Sequence, residues 1–145
     1  FEACDASEAF IKTDTGNVLL DDVITTGKLA IETDTGNVSF EACDASEAFI
    51  KTDTGNVLLD DVITTGKLAI ETDTGNVSFE ACDASEAFIK TDTGNVTGSF
   101  LTDKVVFAES DTGNIDIPKV IADEKCEIIT DTGNIKITIE QKNNS

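Results

Sequence analysis

His, Arg, Trp, Tyr and Met are all missing from these 145 residues, and Pro occurs once. Without imidazole there can be no Ser-His-Asp triad, no Cys-His pair and no zinc–histidine centre. Positive charge is scarce: ten Lys stand against 29 Asp and Glu, for a net charge of −19. No basic patch exists to displace phosphate counterions, which argues against nucleic acid as a partner. An anionic membrane surface would repel the chain for the same reason. No apolar run approaches the roughly 20 residues of a membrane span, so no membrane insertion is expected. The length suits one domain with a core of its own.

What is present is repetition. Residues 1–39 and 40–78 are identical, and residues 79–96 copy the first 18 again. Natural repeats drift, so identity of this extent points to an engineered or very recent duplication. Inside the 39-residue unit the tetrad Asp-Thr-Gly-Asn begins at Asp14, Asp34, Asp53, Asp73, Asp92, Asp111 and Asp131. Each interval of 19 or 20 residues is too short to own a core, so the units must stack and share one.

Leu68, Ile70 and Thr72 alternate with Ala69, Glu71 and Asp73, which is the period of a strand. Val77-Ser78-Phe79-Glu80 and Ile115-Asp116-Ile117 alternate likewise, and a third short stretch surrounds Cys43 and Val62. Gly-Asn supplies the corner between strands, because Gly adopts positive φ freely and Asn tolerates it. The expected fold is all-β: a single-domain parallel β-solenoid (β-helix), right-handed by expectation, of about seven 19–20 residue coils. Stacked antiparallel hairpins are the rival. The domain spans 1–145: duplicated coils 1–39, 40–78 and 79–96, divergent coils 97–139 and a polar tail 140–145. The strand Ile135–Ile139 and that tail read as a terminal cap, and Phe1 begins in mid-coil with an open edge.

Equivalent positions then form columns. Val18, Val38, Val57, Val77, Val96, Ile115 and Ile135 should point inward, as should Phe40, Leu59, Phe79, Ile117 and Ile137. Ile11, Ile31, Ile50, Ile70, Ile89, Ala108 and Ile128 form a third inward column. Outside, Lys12, Glu32, Lys51, Glu71, Lys90 and Glu109 alternate in sign, an expected ladder of cross-strand pairs. In the tetrads Asp53, Thr54, Gly55, Asn56 and Asp73, Thr74, Gly75, Asn76 the residues read as structural turns, with Asn as a stacked amide ladder. The Asp column could instead be a row of Ca²⁺ sites, but the calcium-solenoid pattern Gly-Gly-x-Gly-x-Asp is absent.

Several motifs lead nowhere. Asp-Thr-Gly resembles the aspartic-protease triplet, yet such enzymes need two carboxylates sharing a proton, whereas here one column repeats it. Thr-Asp-Thr resembles the rows of ice-binding solenoids, which would bury the middle Asp. Cys4, Cys43 and Cys82 sit two coils apart, about 9.6 Å along the axis and too far for a disulfide. They align with Val23 and Val62 as small core residues. Phe10, Phe49, Phe88 and Phe107 form a candidate contact stripe, outward by parity and alternating with Ala30 and Ala69; a kink that turns the rings inward is the other option.

Val96–Lys104 (VTGSFLTDK), Ser110–Pro118 (SDTGNIDIP), Lys125–Ile128 (KCEI) and Thr130–Ile137 (TDTGNIKI) resemble the carboxy-terminal coils of an adhesin-like bacterial domain family of unknown function. That resemblance covers residues 97–140 and implies a β-helix, with no catalytic residues to carry over. It implies a bacterial cell-surface or extracellular location. The expectation is a non-enzymatic structural repeat protein, without catalytic, metal or cofactor residues. The alternative is a cell-surface binding module whose face meets a protein or glycan. Self-association is expected through the open coil end or the Phe stripe.

Overall fold

The computed structural model describes residues 5–100, 105–117 and 125–139. The expectations placed on Phe1 and on the Glu140–Ser145 tail fall outside these residues. Among the described residues every element is a strand and every strand pair is parallel. The chain forms a β-solenoid of about six turns. Its seven tetrad corners lie in one row, so six steps of ~4.8 Å make a stack about 29 Å long.

Each duplicated coil lays down three strands. The long face takes Ala9–Thr15, Lys28–Thr35, Glu47–Thr54 and the final stretches of Ile63–Thr74 and Val77–Thr93. After the Gly-Asn corner a second face takes Val18–Asp21, Val38–Glu41, Val57–Asp60 and the start of Val77–Thr93. A short third face pairs Asp5 with Ile24, Asp44 with Ile24 and Ile63 with Asp83. Coils of 20 residues carry Thr-Thr-Gly before the long face where coils of 19 carry Ala-Ser. The register shifts between Thr64 and Lys67 to absorb the extra residue.

Strand parity puts the apolar columns inside. Val57, Leu59, Leu68 and Ile70 are buried, as are Val77, Phe79 and Ile89. Thr72 faces inward with them, and Glu71 and Asp73 face out. The buried Thr hydroxyls need partners. Thr52, Thr72, Thr91 and Thr130 find them by donating to the corner-Gly carbonyl of the adjacent coil, at 3.1–3.4 Å.

The carboxy-terminal coils depart from chain order. Lys125–Thr132 pairs with Glu86–Thr93 on one side and with Val105–Thr112 on the other. Likewise Ile135–Ile139 pairs with Val96–Phe100 and with Ile115–Asp116. The last coil is therefore inserted between the fifth and sixth. Three expectations are corrected by this. Ile115 keeps its place in the Val/Ile column beside Ile135 but is 42% exposed instead of buried, because its coil ends the stack. Ile135–Ile139 is internal and caps nothing. The charge ladder stops at Lys90, whose neighbour is Ile129; Glu109 lies beyond it.

The junction between duplicated and divergent coils is a size exchange. Gly98 stands beside Phe79 and Ile137 in the second-face column. A Cβ on Gly98 would fall about 2.3 Å from the Phe79 ring, so the glycine makes room for it. Phe100 is fully buried, pairs with Cys82 across the register and tilts against Phe79 with ring centroids 4.9 Å apart.

Candidate functional site

The tetrad corners are built by backbone, not by their carboxylates. Each corner Gly has φ between +148° and +156°. A Cβ on Gly55 would lie 1.9 Å from the Gly36 carbonyl oxygen, and the same clash recurs at Gly75 against Gly55. Only glycine lets successive corners nest this closely. The Gly55 amide donates to the Thr74 carbonyl at 2.9 Å, and Val57 to that of Asn76. The Asn column is a ladder of a different kind from the one expected. The backbone N–H of Asn56 donates to Asn37 Oδ1, and that of Asn76 to Asn56 Oδ1, each at 2.9 Å. Asp53, Thr54, Asp73 and Thr74 point to solvent around this ladder. Among the described residues no three Asp, Glu or Cys side chains gather as a metal site would need.

The thiols belong to the core. Cys43, Cys82 and Cys126 are buried and form no disulfide. Cys43 Sγ donates to the Glu41 carbonyl at 3.3 Å, and Cys82 repeats this with Glu80. Burial raises the pKa of Cys43 and pushes that of Cys82 up to about 11. A nucleophilic cysteine needs the opposite shift.

The surface that differs from the rest is the long face. Phe10 and Phe107 are exposed, at 68% and 57%, and Phe49 and Phe88 are half-buried. The rings point outward. Ala30 separates Phe10 from Phe49, and Ala69 separates Phe49 from Phe88. Phe107 is set apart, because Glu127 of the inserted coil stands between it and Phe88. The first three rings and the two alanines line a groove of about 240 Å³, flanked by Glu32, Lys51 and Glu71. Lys28 Nζ sits 4.7 Å from the Phe49 ring centroid, a cation–π contact.

Charge is partitioned around this groove. All five Lys of residues 1–96 lie on the long face: Lys12, Lys28, Lys51, Lys67 and Lys90. They border the stripe on both sides together with Glu8, Glu32, Glu47, Glu71 and Glu86. The ten charges cancel, on a chain whose net charge is −19. One of the two bordering columns was legible in the sequence as the Lys12-to-Glu109 ladder. The other, Lys28–Glu47 and Lys67–Glu86–Lys125, becomes visible in the strand register. It was hidden because the 19 and 20 residue coils bring its members into line through a bulge.

No helix among the described residues is long and apolar enough to cross a membrane. No curated protein and no solved structure matches the chain. A family described as Toastrack DUF4097 does match, over residues 7–145, and it spans both the duplicated and the divergent coils. With the parallel stack, the shared core and the seven nested corners already in hand, that match establishes that the chain belongs to the Toastrack DUF4097 family.

Proposed function

We infer that this protein is a non-enzymatic structural rod whose working surface is the long face. The cancelled charge around the Phe stripe carries the reading. A strongly acidic chain that collects its lysines beside one apolar stripe keeps that stripe free of the repulsion acting elsewhere. Exposed rings bordered by balanced charge favour contact with another macromolecule over small-molecule chemistry. The acids of the other faces in the duplicated coils recur at every coil or every second coil, and a catalytic pair would need a setting that recurs once. The adhesin-like reading places this same face at a bacterial cell surface against a protein or a glycan. The identity of residues 1–39 and 40–78 supports treating the first coils as an engineered or recent lengthening of the divergent carboxy-terminal unit.

Retention on a phenyl matrix at rising ammonium sulfate tests the surface itself. The double substitution Phe49→Ser/Phe88→Ser should elute clearly earlier than the parent. Leu58→Ser, on the second face and 49% exposed in the parent, should shift elution much less. Equal shifts for both variants would remove the long face from its role.

A further inference from the structure

The pattern of the long face specifies its own complement. We propose that this face binds the same face of a second copy of the chain, as an antiparallel two-fold dimer. The proposal rests on reading the long face as a contact surface and names what covers it.

Each coil shows four outward residues here, the fourth being the tetrad Asp at the corner edge, the same in every coil; the first three vary. Coils centred on Phe10, Phe49 and Phe88 read Glu-Phe-Lys, and those centred on Ala30 and Ala69 read Lys-Ala-Glu. Both the shape and the charge therefore invert at every step of the stack. Two kinds of in-plane two-fold axis can bring such a face against itself. An axis along the stack sets each coil against its own copy. Glu then meets Lys, but Phe meets Phe and Ala meets Ala, leaving bumps on bumps and gaps on gaps. An axis along the strands makes the two stacks antiparallel. If it passes through a coil, like charges meet and Phe again meets Phe. If it passes between two of the duplicated coils, Phe coils face Ala coils and each Glu of the two bordering columns faces a Lys, while the tetrad Asp rows face each other along one edge. That register alone sets rings against notches and the Glu positions against the Lys positions at once.

The axis with the longest overlap lies between the Phe49 and Ala69 coils. Phe49 then enters the notch at Ala69 of the second copy, and Phe88 the notch at Ala30. Lys51 meets Glu71, and Glu47 meets Lys67. At the edge Glu8 meets Lys125, which the inserted coil brings beside Glu86, while Phe10 lies over Glu127 and Lys12 over Ile129, so the pattern is complete in the four central coils. Phe107 stays outside this overlap. The overlapping face measures roughly 25 Å by 20 Å, about 500 Å² per copy, from strand rise and spacing. That is near the low end for specific interfaces, so the dimer is weak and concentration-dependent. Repulsion between the remaining acids is screened over ~8 Å at physiological salt, which permits it to form.

Spin labels on the tetrad column test the geometry. Single cysteines at Asp14, Asp53 and Asp92, in a Cys4→Ser background, are labelled one at a time. Cys43, Cys82 and Cys126 are buried and remain unlabelled in the folded protein. In the proposed dimer the axial separation between equivalent labels is about 5 Å at Asp53, about 14 Å at Asp92 and about 24 Å at Asp14. Dipolar distances at several hundred micromolar protein and 0.15–0.5 M NaCl should rise in that order. Phe49→Ser should weaken the dimer roughly a hundredfold in sedimentation equilibrium, because the symmetry removes two rings at once. Ala69→Phe fills the notch and should also abolish dimerisation, although it adds apolar surface. Equal distances at the three sites would overturn the proposal. So would monomers throughout this range, or tighter association of Ala69→Phe. If the phenyl-matrix result stands while these fail, the face is a contact surface for another molecule; if both fail, neither reading survives.

Discussion

The duplicated coils and the divergent ones follow the same corner chemistry and differ in almost everything between the corners. From Ala9 to Thr93 the long face repeats its charge inversion, its Phe/Ala alternation and its Ile column without a fault. In the last two coils Ile129 replaces an acid beside Lys90, Glu127 replaces an alanine beside Phe88, and Ala108 replaces an isoleucine beside Ile128. The corners tolerate any order of coils, because each offers the same nested glycine and the same Asn carbonyl. The residues between them decide the order. Ile128, Ile135 and Ile137 are fully dressed for a position covered on both sides, and they are buried there. The coil with Ala108 has less to bury and takes the end.

The sharpest way to break this comparison uses two isoleucines at equivalent positions. Ile135 is 1% exposed inside the stack and Ile115 is 42% exposed at its end. Ile135→Ala removes a buried side chain and leaves a cavity, so it should cost about 3 kcal/mol. Ile115→Ala loses a side chain already largely in water and should cost less than about 1 kcal/mol. Urea unfolding of the two variants measures both. Stacking in chain order would place Ile115 between Val96 and Ile135 and reverse the inequality.

That reversal marks where the sequence stops being readable. Parity separated Ile70 and Thr72 from Glu71 and Asp73 because a parallel strand admits two side-chain directions, and the alternation named which was which. The outward placement of Phe49 and Phe88 followed from the same rule. Neighbour identity is different in kind. Seven near-identical corners give no local signal for which coil pairs with which, so the insertion of Lys125–Ile139 left no trace in the spacing. Ile115 was misplaced for this reason alone, and Glu109 was assigned a neighbour it does not have. The Asn ladder was placed in the right column, but its donor, the backbone N–H of the next Asn, was not named. A side chain facing its own copy can bond amide to amide or amide to backbone, and composition does not choose.

A second comparison lies within the repeat. A second corner turns at the left-handed residues Asp22, Ala42, Asp61 and Ala81, and the position after it alternates Val23, Cys43, Val62 and Cys82, all buried. Burial holds the Cys82 thiol neutral by raising its pKa from an ordinary value of 9.0 to about 11. Between those values the unfolded chain ionises and the folded one does not. Native Cys82 therefore binds more protons than its unfolded counterpart, and stability should fall as pH rises from 9 to 11. The loss assigned to this residue should be about 1–2 kcal/mol. Cys82→Val installs the side chain of the alternate coil and should remove that part of the slope. Urea titrations at pH 8 and pH 11 on both proteins read the difference, since the lysines contribute equally to each. Parallel pH dependences would mean that Cys82 ionises as readily in the fold as outside it.

The smallest expected effect comes from the corner itself. Asp22, Ala42, Asp61 and Ala81 all adopt a left-handed backbone, with φ of 53° to 59°. Asp tolerates this region because its short polar side chain can bond locally; Ala carries a Cβ and has no such bond. The 20-residue coils thus place a suited residue here and the 19-residue coils an unsuited one. The Ala42 amide still donates to the Asp60 carbonyl at 2.9 Å, so the corner geometry is kept at the expense of local strain. Ala42→Gly relieves the Cβ crowding, partly offset by the greater freedom of glycine in the unfolded chain. A net gain of about 0.5–1 kcal/mol is expected, and Ala81→Gly should add to it, since the two sites are two coils apart and share no side chain. Asp61→Gly should gain less or nothing, because the strain it relieves is smaller. Thermal unfolding of the three variants orders them. A loss of stability in Ala42→Gly would show that the second corner is held by its neighbours so firmly that the left-handed alanine costs the fold nothing.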